Sequence, residues 1–330
     1  MQRRTFAALT TALTTALIAA LGTLATSGGA LAEEWPSKPL KLIVPYAAGG
    51  PTDAIARMIG TKMASSLGQA VVVDNRAGAG GTIGVDATAK SPADGYNLAL
   101  VAPGPLAGMP NLTKVPYALD QIEFLTLAAR IPSVIVVSRK SGITSLEQLI
   151  AKAKAAPDSL NYSSAGGGTT PHIGFELFKR ETGTAIMHVP YKGAAPAISA
   201  VLSGEVQMTM VDLLPILPFA ANGNLVVLAV AGKVRAPQLP DVPTTLELGL
   251  PNVQMETTYG LIAPKGIPAA VQTKLRDAAV AAINAPDMKA QFLKQGAIAA
   301  TSTGAEYRSL MQAESDKWRG VIASAKIKLD

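Results

Sequence analysis

The chain contains no cysteine. Disulfides, thiol catalysis and thiolate metal sites are therefore excluded, and an oxidising compartment is harmless to it. Histidine is nearly as scarce. Only His172 and His188 offer imidazoles, which argues against a histidine-rich zinc or copper centre. Aromatic residues make up 5% of the sequence, and no basic run is interleaved with them. Nucleic-acid binding therefore has no footprint here. Beyond the apolar stretch at the start, no run of apolar residues reaches bilayer-spanning length. The sequence calls for no cofactor and no metal.

What is present begins with Arg3 and Arg4, then an acid-free apolar run from Phe6 to Leu24, then Ala30-Leu31-Ala32. A charged start, a short apolar stretch and a small-x-small site read as a secretory signal peptide over residues 1–32, cleaved near Ala32. Arg3-Arg4-Thr5-Phe6 also fits a twin-arginine signal, and an ordinary signal can carry the same pair. The expected location is the periplasm. The formal charge of +6 includes those two arginines, leaving +4 beyond them, a balance that mildly favours an anionic small ligand. With residues 1–32 set aside, 298 of the 330 residues remain, enough for two lobes of ordinary domain size.

The stretch from Leu40 to Asp53 sets the pattern. Leu42-Ile43-Val44 is apolar without alternation, as in a parallel strand covered on both faces, and Pro45 ends it. Gly49-Gly50 permits a tight turn and close approach of a ligand. Pro51 suits the first helical position, and Asp53 falls where the helix field favours an acid. Ile55, Ile59, Met63 and Leu67 then recur at helical spacing up to Gly68. A strand running into free amides at a helix start is a seat for an anion.

The same unit repeats. Val71-Val72-Val73 predicts a second buried strand, followed by the glycine loop Gly78 to Gly84 and a helix. Leu98 to Ala102 predicts a third strand. Met109 to Tyr117 reads as irregular loop, and Ser133 to Val137 as a strand crossing into a second lobe. There Ser145 caps a helix. The strand Leu160 to Ser164 opens into Gly166-Gly167-Gly168-Thr169, and strands follow at Met187 to Val189, Val206 to Val211 and Leu225 to Val230. Tyr259 to Pro264 returns to the first lobe, and two helices close the chain. This is a doubly wound α/β architecture. Its lobes are expected at 33–134 plus 257–330 and at 135–256, with ligand binding beyond the carboxyl ends of strands.

Catalytic and nucleotide motifs fail on spacing. In Gly78-Ala79-Gly80-Gly81-Thr82-Ile83, Ile83 stands where a dinucleotide fingerprint needs its third glycine, and Gly232-Lys233-Val234 is no P-loop. Tyr162-Ser163-Ser164-Ala165-Gly166 lacks the first glycine of a nucleophile elbow, and no histidine follows Asp212. The protein is therefore read as a non-enzyme. His172 and Glu176 share a helix face, either as a surface pair or with the imidazole at a cleft rim donating to a carboxylate. His188 suits a satisfied core histidine. Asp212 either caps a helix or meets the ligand. Arg130 either reaches a ligand carboxylate bidentately or is solvated. Thr169 and Ser164, beside the glycine run, are placed to contact ligand.

Trp35-Pro36-Ser37-Lys38-Pro39 with Ile43 to Asp53, Val73 to Gly84, Pro92 to Tyr96, Ser164 to His172, Val189 to Gly193, Leu239 to Thr244 and Gly260 to Pro264 strongly resembles the Bug-type receptors. These are the extracytoplasmic solute-binding proteins of tripartite tricarboxylate transporters. The resemblance implies a two-lobed type II periplasmic-binding fold that closes on a small organic anion. The ligand would be a dicarboxylate, tricarboxylate or aromatic carboxylate, and the partners the membrane permease subunits of such a transporter. It implies one wall from Tyr46, Gly49, Gly50, Thr52 and Asp53, supported by Asn75 and the loop containing Gly80. Ser164, Gly168, Thr169 and His172, with Asp212 behind, would form the other. A monomer is expected. Pro103-Gly104-Pro105 and Thr257-Thr258-Tyr259-Gly260 depart from the usual pattern at the cleft. An aromatic carboxylate stacked on Tyr46 and Tyr259 is therefore an alternative ligand. A sensory role or an exported enzyme are alternative functions.

Overall fold

Leu42, Ile43 and Val44 are completely buried. They lie in β1 (Leu40–Val44), which pairs in parallel with β2 (Val71–Asn75) on one side and β3 (Asn97–Val101) on the other. The helices α1 (Pro51–Leu67) and α2 (Thr82–Ala89) make the connections. The computed structural model describes Glu34 to Leu329, so the expected signal peptide over 1–32 lies outside the described residues. Gly68 ends α1 in the left-handed conformation, φ 68°, which glycine adopts without a Cβ penalty.

The chain then enters β4 (Ile122–Ser138), a 17-residue strand. The expected crossover at Ser133 to Val137 is only its second half. After β4 come α3 (Leu146–Ala155), β5 (Asn161–Ser164), α4 (Thr170–Thr182), β6 (Met187–Pro190), α5 (Ala194–Ser203) and β7 (Met208–Asp212). α6 (Leu217–Ala221), β8 (Leu225–Val230), β9 (Glu256–Pro264), α7 (Ala269–Asn284), α8 (Pro286–Lys294), β10 (Ile298–Ala299) and α9 (Gly304–Ala325) complete the described fold. Strand order is β2-β1-β3-β9-β4-β7-β5-β6, with β8 and β10 also on β4. The arrangement is thus a parallel set at each end with long antiparallel strands between them. β4 pairs with β9 through its first half and with β7 and β8 through its second. One curled sheet runs throughout, and each parallel set places its first strand in the middle.

One departure from expectation has a simple cause. β2 is an edge strand, with Val72 53% exposed, so its valine run reflects strand propensity and not two-sided burial. After β3, Gly104–Gly108 forms one buried π-helical turn, and Met109 to Tyr117, expected as irregular loop, is so except for a short 3-10 turn at Met109–Asn111.

Apolar clusters pack against the sheet, and α9 joins two of them. Ile43, Val101, Phe124, Ile262 and Tyr307 belong to one. Tyr162, Phe175, Phe178, Met210 and Trp318 belong to the other, where the Tyr162 and Phe175 rings stack at 3.9 Å. The 22-residue α9 contributes Tyr307 and Met311 to the first core and Trp318 and Ile322 to the second. At 1.5 Å per residue its length, about 33 Å, is enough to reach both. Among the described residues no helix is long and apolar enough to cross a membrane.

Candidate functional site

The carboxyl ends of β1, β5 and β7 face one another around a cavity of about 30 Å3. Its walls are Tyr46, Gly50, Pro51 and Thr52 after β1, and Ala165, Thr169 and Pro171 after β5. Val211 and Asp212 come from β7, Ala194 from the start of α5, and Thr257 and Tyr259 from β9. Three helices begin here. The first backbone bonds are Ala54 N to Gly50 O in α1, Ile173 N to Thr169 O in α4 and Ala197 N to Gly193 O in α5. Main-chain N–H groups ahead of those bonds have no carbonyl within their helix. Convergence of three positive helix ends favours an anion, and no lysine or arginine lines the cavity.

Tyr46 and Ala165 also line a second chamber, of about 210 Å3, with Gly78 to Gly81 on one side and Gly166, Gly167, Tyr191 and Lys192 on the other. The two glycine runs touch. Gly80 has φ 62°, and a Cβ there would overlap the Gly167 carbonyl oxygen. Gly108 likewise abuts the Gly168 carbonyl oxygen. Only glycine permits backbones this close.

Of the residues expected at the site, Tyr46, Gly50, Thr52, Thr169 and Asp212 line the main cavity and Gly80 the adjoining one. The others, Arg130 apart, stand behind them. Asp53 accepts from Gly49 N at 3.0 Å, from Arg57 Nε at 3.0 Å and from Asn75 Nδ2 at 3.0 Å. Asn75 Nδ2 also donates to Tyr46 O at 3.1 Å. Burial would raise the Asp53 carboxyl, but these donors together hold it below its ordinary value. The Gly49 amide, expected to be free, is thus taken by Asp53.

On the opposite side, Ser164 Oγ donates to Gly166 O at 3.2 Å and accepts from Gly166 N at 3.1 Å. Thr169 Oγ1 donates to Gly166 O at 2.6 Å. Both hydroxyls therefore pin the glycine loop here. His172 is buried, not at a rim: its Nδ1 accepts from Gly168 N at 3.0 Å. Its ring stacks on His188 at 4.1 Å. Burial first, then His188, pushes His172 down to about 3, so it stays neutral. Glu176 is no partner of His172. It accepts from Tyr162 and from Lys179. His188 Nε2 lies 2.6 Å from Ser164 Oγ.

Arg130 is not brought to this cavity. It pairs with Glu256 at 2.5 Å and lines a separate hollow with Lys233 and Lys317, because alternate β9 residues face opposite ways: Thr257 and Tyr259 line the main cavity, Glu256 and Thr258 the hollow. Asp212 is buried and caps no helix. Thr257 Oγ1 donates to its Oδ1 at 2.6 Å, and Tyr259 O–H donates to its Oδ2. Burial pushes its carboxyl up to about 6. Ala194, Thr257 and Tyr259 complete the cavity. The Gly193-Ala194 turn carried a signal for the third helix start, a glycine before a helical run, whereas Thr257 is legible only once β9 is known to face the cavity.

A curled α/β sheet of this order, with helix starts from both parallel sets meeting at one cavity, defines a solute-binding protein of periplasmic type. Residues 55–327 match the profile of the tripartite tricarboxylate transporter family receptor, and the chain belongs to that family. It is 37% identical to protein BugT of Bordetella pertussis, over 96% of this chain and 99% of that protein. A Rhodopseudomonas palustris protein solved with adipate superposes with TM-score 0.87 at 31% identity, covering 90% of this chain and 100% of the other. MatC from the same organism, solved with bound malate, gives 0.83 at 28%, covering 87% and 100%.

Proposed function

We propose that this protein is a periplasmic receptor that captures a small organic carboxylate by closure of two lobes and delivers it to the membrane permease subunits of a tripartite tricarboxylate-type transporter. It acts as a monomer and performs no chemistry on the ligand. The lobes are 33–134 plus 257–330 and 135–256, with α9 reaching from one core to the other. The observation that carries this reading is the convergence of three helix N-termini on a cavity without a cationic side chain. Such a site holds a carboxylate through main-chain donors. The adipate- and malate-bound relatives support that ligand class.

Ligand contacts are assigned to Tyr46, Gly50, Thr52, Thr169 and Asp212, with Ala194, Thr257 and Tyr259 added and Gly80 in the adjoining chamber. Gly49, Asp53, Asn75, Ser164, Gly168 and His172 hold the loops in place. A thermal-shift series over dicarboxylates, tricarboxylates and aromatic acids tests the assignment. A ligand at 100 times its Kd should stabilise the protein by about 2.7 kcal/mol. Failure of every organic acid to raise the melting temperature, or conversion of one into product, would overturn it.

A further inference from the structure

Asp212 is an anomaly in an anion site. Its carboxyl lines the cavity, is 3% exposed, and faces no cation among the residues around it. The titratable groups that face it are the phenols of Tyr46 and Tyr259, with the Glu256 carboxylate further along β9. α4 and α5 bring Thr169, Pro171 and Ala194 to the cavity, and no charge.

The hydroxyls of Thr257 and Tyr259, with that of Ser133 beside them, hold Asp212 and decide what a ligand meets. With Asp212 ionised, the O–H groups of Thr257 and Tyr259 are both spent on its oxygens, and an incoming carboxylate would meet a like charge at close range. With Asp212 neutral, its own O–H donates to one of those oxygens. The hydroxyl that accepts this proton is then free to turn its own O–H into the cavity. Protonation thus turns this wall from acceptor to donor.

Resting on the carboxylate reading above, we propose that Asp212 is the specificity-determining residue of the cavity and selects by proton: a simple dicarboxylate binds with uptake of about one proton by Asp212. Burial already favours the neutral acid, and a second carboxylate in the same site favours it further. Ligand and proton then bind cooperatively.

The test is calorimetry of adipate and malate binding from pH 6.5 to 8.5, in buffers of differing ionisation enthalpy. The wild type should take up about one proton per ligand and weaken about tenfold per pH unit across this range. Asp212→Asn should bind with flat affinity and no proton uptake. Should that variant fail to fold, Tyr259→Phe serves instead: removing one donor to the ionised form raises Asp212 further, so proton uptake at pH 6.5 falls while that at pH 7.5 persists. Flat wild-type binding, proton uptake persisting in Asp212→Asn, uptake at pH 6.5 unchanged in Tyr259→Phe, or an amino diacid binding tenfold tighter than its amine-free analogue with no proton exchange would each overturn the proposal while leaving carboxylate capture intact. Failure to bind any acid at any pH would remove both readings.

Discussion

Asp53 shows how a residue can shape an anion site without touching the ligand. Gly49 N, Arg57 and Asn75 all donate to it, which fixes the turn between β1 and α1. Asp53→Ala leaves these donors short of a partner, and a loss of about 1–3 kcal/mol is expected in denaturant unfolding at pH 7. Because the folded-state carboxyl lies below its ordinary value near 3.8, its contribution is present above that value and lost as pH falls through the folded one. His172 acts earlier on the same side. Its stabilisation is complete above its ordinary 6.5 and drains away as pH falls toward about 3. Asp212 opposes it, since a raised carboxyl gains stability as pH falls from about 6 toward 3.8. Melting curves from pH 7 to 4 should therefore fall more steeply for Asp212→Asn than for wild type; parallel curves would contradict that sign. The sequence placed Asp53 in the first helical turn, where it is found. It could not show that His172 turns inward, since that depends on stacking with His188, a residue of the separate strand β6.

The strand–turn–helix units were largely legible, because apolar runs ending at proline or glycine mark them. β1, α1, β5 and α4 stand where periodicity put them. β4 was only half visible: Ile122 to Arg130 mixes Glu123, Thr126 and Arg130 with apolar residues, and its extended state is set by pairing with β9, a partner over a hundred residues distant. α8 was missed, as its short run after Pro286 has only Met288 and Phe292 buried. Close approach was expected of a ligand at Gly49-Gly50, whereas the tight approaches found are of opposing backbone at Gly80 and Gly108. Gly80→Ala places a Cβ against Gly167 O. It should block the closed arrangement and weaken ligand binding at least tenfold by calorimetry, with little change in melting temperature of the free protein. An unchanged Kd would show that the two glycine runs need not meet.

Across the whole molecule, the main cavity and its neighbour hold about 30 and 210 Å3, below the roughly 300 Å3 at which ligand pockets begin. Neither space holds a ligand of that size as it stands, so the proposed capture requires the walls to part before a ligand can reach the helix starts. Small-angle scattering should give a larger radius of gyration for the free protein than for the saturated one. Equal radii would argue against hinged capture. β9 and the first half of β4, paired between the two parallel sets, are where the proposed motion would turn. The main-chain origin of the donors has one more consequence. No codon change short of proline deletes a peptide N–H, so drift can repaint the chamber at Tyr46, Thr257 or Tyr259 while its appetite for negative charge persists. A lineage built on this plan can trade one acidic nutrient for another without first reinventing its grip.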